Sequence, residues 1–286
     1  MIRVGTLVLI ALLGAAAAAT SLARPTSPAL FAYDHSAPLK VSWGRSVTAG
    51  AVVQRDFAFD ALAGKRVAGY FVHPKNGAPW PLVLWTPGRG GDRSEELPDA
   101  VALARHGVAS LLVDPPTPEV VTCNPKVDLS TFVRYVVGRR RAVDLALTLP
   151  GIDRTRIAAA GFSYGSSVTA VLAGVEPRIG AFALKSGRAH HTGFMRLACA
   201  QLGAAALDTY VTRLSVVDPI RWAPMATRAA FLIQDGTKDP FNPRGDVVAL
   251  YRAVRGNKEL HFYPAGHELN ASAAAYRLEW LRRRLQ

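Results

Sequence analysis

Apolar positions along the chain follow two alternating spacings. Residues 52–62 and 66–74 alternate apolar and polar at every second position and are joined by a short Ala-Gly-Lys connection, which predicts an antiparallel strand pair. Beyond them, continuous apolar runs of strand length alternate with segments of helical spacing. The further predicted strands are 81–87, 108–114, 156–162, 179–187, 228–236 and 259–265, and the predicted helices are 94–107, 128–149, 164–174, 244–255 and 272–285.

This order of elements predicts an α/β protein. Strands that alternate with helices form a mostly parallel sheet with helices on both faces. Residues 24–50 contain several Pro and Ser with little periodicity, and we expect them to be an exposed lead-in. Residues 188–227 interrupt the alternation with mainly helical character, which predicts a small helical cap inserted into a single domain spanning 24–286.

The first 23 residues differ from the rest of the chain. Arg3 precedes an uncharged apolar run over residues 4–19, and Ser21-Leu22-Ala23 places small residues where a signal peptidase cuts. The run is near the lower limit for crossing a bilayer, so a membrane anchor is the alternative. Pro25 would soon break a helix, which favours cleavage. We therefore expect residues 1–23 to be a signal peptide and the mature protein to be periplasmic or extracellular.

Two cysteines, Cys123 and Cys199, are 76 positions apart. In an oxidising compartment they can pair, and we expect a disulfide that joins the cap to the loop before the helix at 128–149. Two separate thiols are the alternative. Closing a loop of this length would stabilise the fold by about 4 kcal/mol on a chain-entropy treatment.

The chain is basic, with a formal net charge of +13 at pH 7. The positive residues are scattered, and no basic tract is interleaved with aromatic residues, so we expect no specific nucleic-acid partner and only a weak attraction to anionic surfaces. No stable protein partner is evident. His190 and His191 lack local Cys or carboxylate partners, which favours a solvated pair and no metal site. No cofactor is predicted, because "GRGG" is not followed by the Gly-Lys-Ser/Thr of a phosphate-binding loop.

One serine stands between two glycines where a strand is predicted to meet a helix. In Gly161-x-Ser163-x-Gly165 the glycines allow a sharp turn that side chains would block, as in a nucleophile elbow. Ligand sites of parallel sheets form at the carboxyl ends of strands, where Ser163 lies. Ser163 is therefore a candidate nucleophile.

A nucleophilic serine needs a base and a group that orients the base. His267 directly follows the last predicted strand. The loop after the preceding strand, "QDGTKDPFNP", offers two carboxylates. Asp235 could simply shape the glycine turn, whereas Asp239 lies farther along the loop and could reach His267. The resulting order is Ser, Asp, His, each after a different strand.

From about residue 66 to its end the chain resembles the α/β-hydrolases, particularly their dienelactone-hydrolase and prolyl-oligopeptidase-like branch. The resemblance is carried by "RRAVDLALTLPGIDRTRIAAAGFSYG", by the acid loop quoted above and by the histidine loop "PAGHEL". It implies Ser163 as nucleophile, Asp239 as acid and His267 as base. Dienelactone hydrolases proper use a cysteine nucleophile, so their substrate is not implied.

The resemblance also implies an oxyanion hole. "TPGRGGD" stands where the superfamily has a His-Gly-rich loop, with Pro87 in place of the usual His. The implied donors are the backbone N–H groups of Arg89 and Tyr164. Phe194 and Trp222 of the cap could line an acyl pocket or pack its interior.

These residues predict an exported serine hydrolase, specifically a carboxylesterase that cleaves small-molecule or acyl ester substrates through an acyl-enzyme. A peptidase or acyltransferase with the same triad is the first alternative. A non-catalytic cell-wall or lipid-binding protein built on a hydrolase fold is the second.

Overall fold

A single twisted sheet organises the part of the chain that the computed structural model describes, residues 27–62, 64–117 and 120–286. The predicted signal peptide, 1–23, lies outside the described residues. The sheet order is β1-β2-β3-β5-β4-β6-β7-β8-β9. The strands are β1 (Ser42–Ala49), β2 (Val52–Leu62), β3 (Lys65–Pro74), β4 (Trp80–Thr86), β5 (Ala109–Val113), β6 (Ile152–Phe162), β7 (Ala181–Lys185), β8 (Ala230–Gly236) and β9 (Lys258–Tyr263).

The sheet has an antiparallel edge and a parallel body. β1, β2, β3 and β5 pair antiparallel in that order, whereas all pairs from β5 through β4 to β9 are parallel. Parallel strands need covered faces, and β4, β5 and β8 are buried along their whole length. The predicted mostly parallel sheet is confirmed.

Helices cover both faces of the sheet. They are α1 (Leu97–Ala104), α2 (Pro125–Ala146), α3 (Tyr164–Ala173), α4 (His191–Ala198), α5 (Ala204–Leu214), α6 (Pro219–Trp222), α7 (Arg244–Ala253) and α8 (Ala271–Leu285). α2, α3 and α7 belong to one apolar core, and α1 and α8 to the other. Alternate residues of β4 point to opposite cores: Leu82 and Leu84 to the first, Val83 and Trp85 to the second.

The expected lead-in at 24–50 was wrong in part. Ser42–Ala49 forms β1, which pairs with β2, and Phe31 is buried against Trp222 at 4.9 Å between ring centroids. All eight residues of β1 are exposed. An edge strand with both faces exposed has no apolar alternation, so the pattern that identifies a half-buried strand is missing.

The segment between β7 and β8 holds α4, α5 and α6, and we call residues 188–227 the cap. It has an apolar cluster of its own, formed by Met195, Cys199, Tyr210 and Leu214. Cys123 and Cys199 form a disulfide, with their Cα atoms 5.6 Å apart, that joins the cap to the loop before α2. Within the described ranges, none of the helices combines the length and the apolar character that a membrane span requires.

Candidate active site

Ser163 occupies the turn between β6 and α3. Its backbone has φ +53° and ψ −115°, a conformation that non-glycine residues rarely adopt and that costs on the order of 1–3 kcal/mol. The Ser163 N–H donates to the Lys185 carbonyl on β7 at 2.9 Å, which fixes the turn against the next strand. The sharp turn presents the Ser163 hydroxyl at the carboxyl end of the sheet.

Gly161 is required by the tightness of this turn. A Cβ atom at Gly161 would lie 2.4 Å from the Gly165 carbonyl oxygen and 2.5 Å from the Thr169 hydroxyl. These distances are far below van der Waals contact. The expectation that side chains would clash at this strand-to-helix turn therefore has a direct geometric basis.

The structure brings His267 between Ser163 and Asp239. His267 Nε2 lies 2.7 Å from Ser163 Oγ, and His267 Nδ1 lies 2.7 Å from Asp239 Oδ2. The side chains of His267 and Asp239 are only 15% and 0% exposed. This geometry fits an imidazole protonated at Nδ1, which donates to the carboxylate while Nε2 accepts from the serine hydroxyl.

Asp239 is held as a carboxylate by its hydrogen bonds. Burial alone would raise its pKa, but the hydrogen bonds from His267 and from the Phe241 N–H hold the pKa of Asp239 below its ordinary value. Its Oδ1 accepts from Phe241 N at 2.8 Å and from Asn242 N at 3.2 Å. The Asp239 carboxylate is thus ionised and fixed in orientation.

Asp235 has a different environment on the same loop. Its Oδ1 accepts from the Gly236 N–H at 2.7 Å, and its Oδ2 accepts from the Asn242 side-chain amide at 3.0 Å. Burial and the nearby negative charge of Asp239 raise the pKa of Asp235 to about 7. Of the two carboxylates offered by the sequence, Asp239 contacts His267 and Asp235 caps the glycine turn.

A glutamate holds the loop after β4. The Glu95 carboxylate accepts from the Gly88 N–H at 2.6 Å, and burial raises the pKa of Glu95. Ser94 does not cap α1, which begins at Leu97; its N–H and hydroxyl donate to Asp92 at 2.7 and 2.5 Å. The predicted helix start was wrong, because Glu95 is used to hold this loop.

The two residues implied as oxyanion donors lie beside Ser163. Arg89 follows Gly88 on this loop, Tyr164 follows Ser163, and all three of Arg89, Tyr164 and Ser163 line one pocket of about 380 Å³. The Arg89 guanidinium lies over the Tyr164 ring, 4.6 Å from its centroid. Pro87, which replaces the usual His, directs its carbonyl to the Tyr135 hydroxyl at 3.5 Å.

The rest of this pocket, which we call the serine pocket, is aromatic and basic. Its wall includes Phe162, Phe194, Phe241, Arg188 and His191. The sequence offers two cap aromatic residues, Phe194 and Trp222, for the pocket wall. Trp222 packs on Phe31 and does not line the pocket. Phe194 is the cap aromatic that does.

The expectation of a solvated histidine pair was wrong for His191. His190 is half exposed and contacts Asp246, with its Nδ1 2.5 Å from Oδ1. His191 is buried against Phe132 and Tyr164, and burial with the nearby charges of Arg89 and Arg188 lowers its pKa to about 3. Within the described ranges, no group of three or more His, Cys, Asp or Glu is arranged to hold a metal ion.

The protein has an α/β-hydrolase fold. This assignment follows from the order of the strands in the sheet, the strand-to-helix turn at Ser163 and the contacts of Ser163 and Asp239 with His267. Residues 44–221, more than half of the chain, match the family described as Esterase FrsA-like. The chain belongs to this esterase family, and is therefore a hydrolase that acts on esters. No match was found among curated proteins.

Solved structures show the same fold at low sequence identity. Acetyl xylan esterase 1 from Thermoanaerobacterium sp. JW/SL YS485 superposes with a TM-score of 0.74 at 16% identity, covering 90% of this chain and 92% of that one. An acetyl xylan esterase from Paenibacillus sp. R4 gives 0.73 at 20%, covering 89% and 91%. A cold-adapted esterase from an Arctic intertidal metagenomic library gives 0.66 at 19%, covering 86% and 100%.

Proposed function

We propose that the protein is an exported serine carboxylesterase that works through an acyl-enzyme on Ser163. The observation that carries this proposal is the continuous hydrogen-bonded chain from Ser163 Oγ through His267 to Asp239 at the wall of the serine pocket. A serine whose hydroxyl contacts an oriented, largely buried imidazole is the arrangement that generates an oxygen nucleophile near neutral pH.

In the first half-reaction, His267 Nε2 takes the Ser163 proton as Oγ attacks the ester carbonyl carbon. The carbonyl π electrons move to oxygen, and the N–H groups of Arg89 and Tyr164 stabilise this oxyanion. The intermediate collapses with cleavage of the C–O bond to the alcohol, which leaves with the proton from His267. Ser163 then carries the acyl group.

In the second half-reaction, a water molecule replaces the alcohol. His267 takes one water proton, the hydroxide oxygen attacks the acyl carbon, and collapse breaks the bond to Ser163 Oγ. Ser163 recovers its proton from His267 and the carboxylic acid is released. Asp239 remains a carboxylate throughout and stabilises the imidazolium, a role that its lowered pKa supports.

Export is supported by two separate features. Residues 1–23 have the layout of a signal peptide. The disulfide between Cys123 and Cys199 is the kind of bond that persists in an oxidising compartment. N-terminal sequencing of the protein secreted by an expression host tests this part, and a mature protein beginning after Ala23 is the expected result.

The serine nucleophile is tested by fluorophosphonate labelling. The wild type should be labelled and Ser163→Ala should not, while Ser272→Ala serves as a matched control because Ser272 is exposed at the start of α8. Labelling of Ser163→Ala at the wild-type level would overturn the assignment.

The esterase reaction is tested with matched acyl compounds. Ester hydrolysis is measured with acetyl, butyryl and octanoyl esters. The corresponding anilides test for peptidase activity, and an ester with an added alcohol acceptor tests for acyltransferase activity. Acetate esters come first, since two of the similar structures are acetyl xylan esterases. We expect ester hydrolysis that Ser163→Ala abolishes; faster anilide cleavage or acyl transfer would favour the alternatives.

A further inference from the structure

Arg188 is a buried arginine in the wall of the serine pocket. It follows β7 at the start of the cap and is only 6% exposed. Among the described residues, no carboxylate oxygen lies within 4.0 Å of its guanidinium. An arginine this buried is normally paired with an anion, because removing its charge from water is costly.

Neutral groups fix the Arg188 side chain. Its Nε donates to Asn242 Oδ1 at 2.8 Å, and its Nη2 donates to the Phe241 carbonyl. Nη1 has no hydrogen-bond partner in the described part of the chain and lies beside Gly193, where it is 3.5 Å from the position of a Cβ atom. Burial lowers the pKa of Arg188, but a guanidinium remains charged in proteins. The pocket wall therefore holds a fixed cation with one donor edge unused.

Arg188 is part of a larger positive region. The Arg89 guanidinium lies 4.9 Å from the Phe194 ring centroid, and both residues line the same pocket. The buried imidazole of His191 is close enough to Arg89 and Arg188 for both charges to lower its pKa. Two guanidinium groups and a neutral imidazole thus meet at the cap side of the pocket.

The pocket also has two carboxylates, Glu95 and Glu268. Glu95 is engaged with the Gly88 N–H, and Glu268 is exposed next to His267. Neither glutamate is among the carboxylates whose charges act on Arg188. The charges of Asp235, Asp239 and Asp246 act on the guanidinium, but none of these carboxylates forms an ion pair with it among the described residues. The unused donor edge of Arg188 is therefore available to a group that enters the pocket.

We propose that Arg188 forms a carboxylate-binding subsite, so that the preferred substrates are esters with a carboxylate a few bonds from the scissile carbonyl. A planar carboxylate suits the unused edge of the guanidinium, and the resulting charge-assisted hydrogen bonds would offset the cost of burying Arg188. The proposal rests on the proposed esterase function for its catalytic consequence, but not for binding of the anion itself.

The kinetic test uses pairs that differ only in charge. Monomethyl glutarate is compared with methyl glutaramate, which places the carboxylate or amide on the acyl side, and 4-acetoxybutanoate with 4-acetoxybutanamide, which places it on the alcohol side. We expect kcat/KM to favour the carboxylate at least tenfold in one pair, and that pair identifies the side that Arg188 contacts. Equal or lower kcat/KM for the carboxylate in both pairs would overturn the proposal.

Variants assign the preference to Arg188. In Arg188→Met the ratio of carboxylate to amide kcat/KM should fall to about one, and Arg188→Lys should retain part of it. The matched control is Arg154→Met, because Arg154 is exposed near the start of β6, at the opposite end of that strand from Ser163. A wild-type ratio in Arg188→Met would exclude Arg188 as the cause.

Binding is measured separately from turnover. Thermal denaturation of Ser163→Ala at constant ionic strength should show a higher Tm with glutarate than with glutaramide, and Arg188→Lys should reduce this difference. If the wild type lacks esterase activity and labelling, the esterase proposal fails while this measurement still decides the subsite. If esters are hydrolysed through Ser163 without any preference and glutarate does not raise Tm, only the subsite is overturned.

Discussion

Gly165 and Pro87 are in backbone contact. A Cβ atom at Gly165 would lie 2.2 Å from the Pro87 carbonyl oxygen and 2.4 Å from that of Thr86. The first turn of α3 therefore rests directly on the loop that carries Arg89. Since a backbone cannot yield as a flexible side chain does, the missing side chain at Gly165 sets the distance between the Ser163 turn and the loop of Arg89, one of the two proposed oxyanion donors.

Gly165→Ala should separate these two elements. Displacing the loop moves the Arg89 N–H from the oxyanion position, and we expect kcat/KM for esters to fall by about 100-fold or more. The added methyl group should also lower the free energy of unfolding by about 1–3 kcal/mol. Steady-state ester hydrolysis and urea denaturation measure the two effects.

Gly245→Ala is the matched control for this substitution. Gly245 lies in the first turn of α7 with nothing within 4 Å of its Cβ position, so alanine should leave activity unchanged and stabilise the helix by about 0.5–1 kcal/mol. Wild-type kcat/KM in Gly165→Ala would show that this contact does not position the loop.

The sequence predicts the parts of the fold that local spacing determines. β2 and the strand-to-helix turn at Ser163 follow from apolar periodicity and glycine placement, which need no knowledge of distant residues. β1 was missed because its exposed residues have no apolar pattern. Phe31 was missed because its partner, Trp222, is distant in sequence.

The contrast between local sequence patterns and contacts distant in sequence also applies to the residues of the serine pocket. Ser163, Asp239 and His267 each follow a strand end, so the sequence predicts them as a set, and the structure places their side chains in contact. The sequence does not point to Arg188 and His191 as residues of the pocket wall. The burial of Arg188 depends on Asn242 and Phe241, from a loop far along the chain. Local sequence gave no sign of this packing, and a histidine or arginine at the start of a helical insertion is usually solvated.

Asp239→Asn should abolish the orientation of His267. An amide in this position would favour the wrong imidazole tautomer and could not stabilise the imidazolium, so we expect kcat to fall by about 10³- to 10⁴-fold with a small change in KM. Stopped or continuous ester assays over pH 5–9 measure this. A decrease of less than tenfold would mean that another group orients His267.

Asp235→Asn should change the stability of the protein and leave the imidazole tautomer of His267 unchanged. The pKa of Asp235 is raised from 3.8 to about 7, so between these values the native protein keeps a proton that the unfolded chain loses. Through this group the wild type loses stability as pH rises from about 4 through 7, by up to about 1.4 kcal/mol per pH unit, and the loss ends at about pH 8.

Asparagine at residue 235 removes this proton linkage. The free energy of unfolding of Asp235→Asn relative to wild type should therefore rise over the same interval and level off at about pH 8. Urea denaturation of both proteins at pH 4.5, 5.5, 6.5 and 7.5 tests the prediction, and parallel curves across this range would contradict it.

The Cys123–Cys199 disulfide should stabilise the protein against unfolding and hold the cap in place. Removing it in Cys123→Ala/Cys199→Ala should lower the free energy of unfolding by up to about 4 kcal/mol, because the unfolded chain loses a long closed loop. Since Cys199 packs with Met195 and Tyr210, we also expect KM for esters to rise as the cap loosens. Wild type treated with dithiothreitol should match the double variant, and an unchanged denaturation midpoint under both conditions would refute the prediction.

His191 should make the protein sensitive to mild acid. Its pKa is lowered from 6.5 to about 3 in the fold, so below pH 6.5 the unfolded chain binds a proton that the native protein does not. The free energy of unfolding is therefore unaffected by this group above pH 6.5, and protonation of the unfolded chain lowers it by about 2 kcal/mol at pH 5.

His191→Phe keeps a ring against Phe132 and Tyr164 and removes the titration, so its free energy of unfolding should fall less between pH 7.5 and pH 5 than that of the wild type. His191→Gln, which lacks the ring, should show the same reduced pH dependence from a lower starting stability; a wild-type pH dependence in both variants would assign the acid sensitivity to another group.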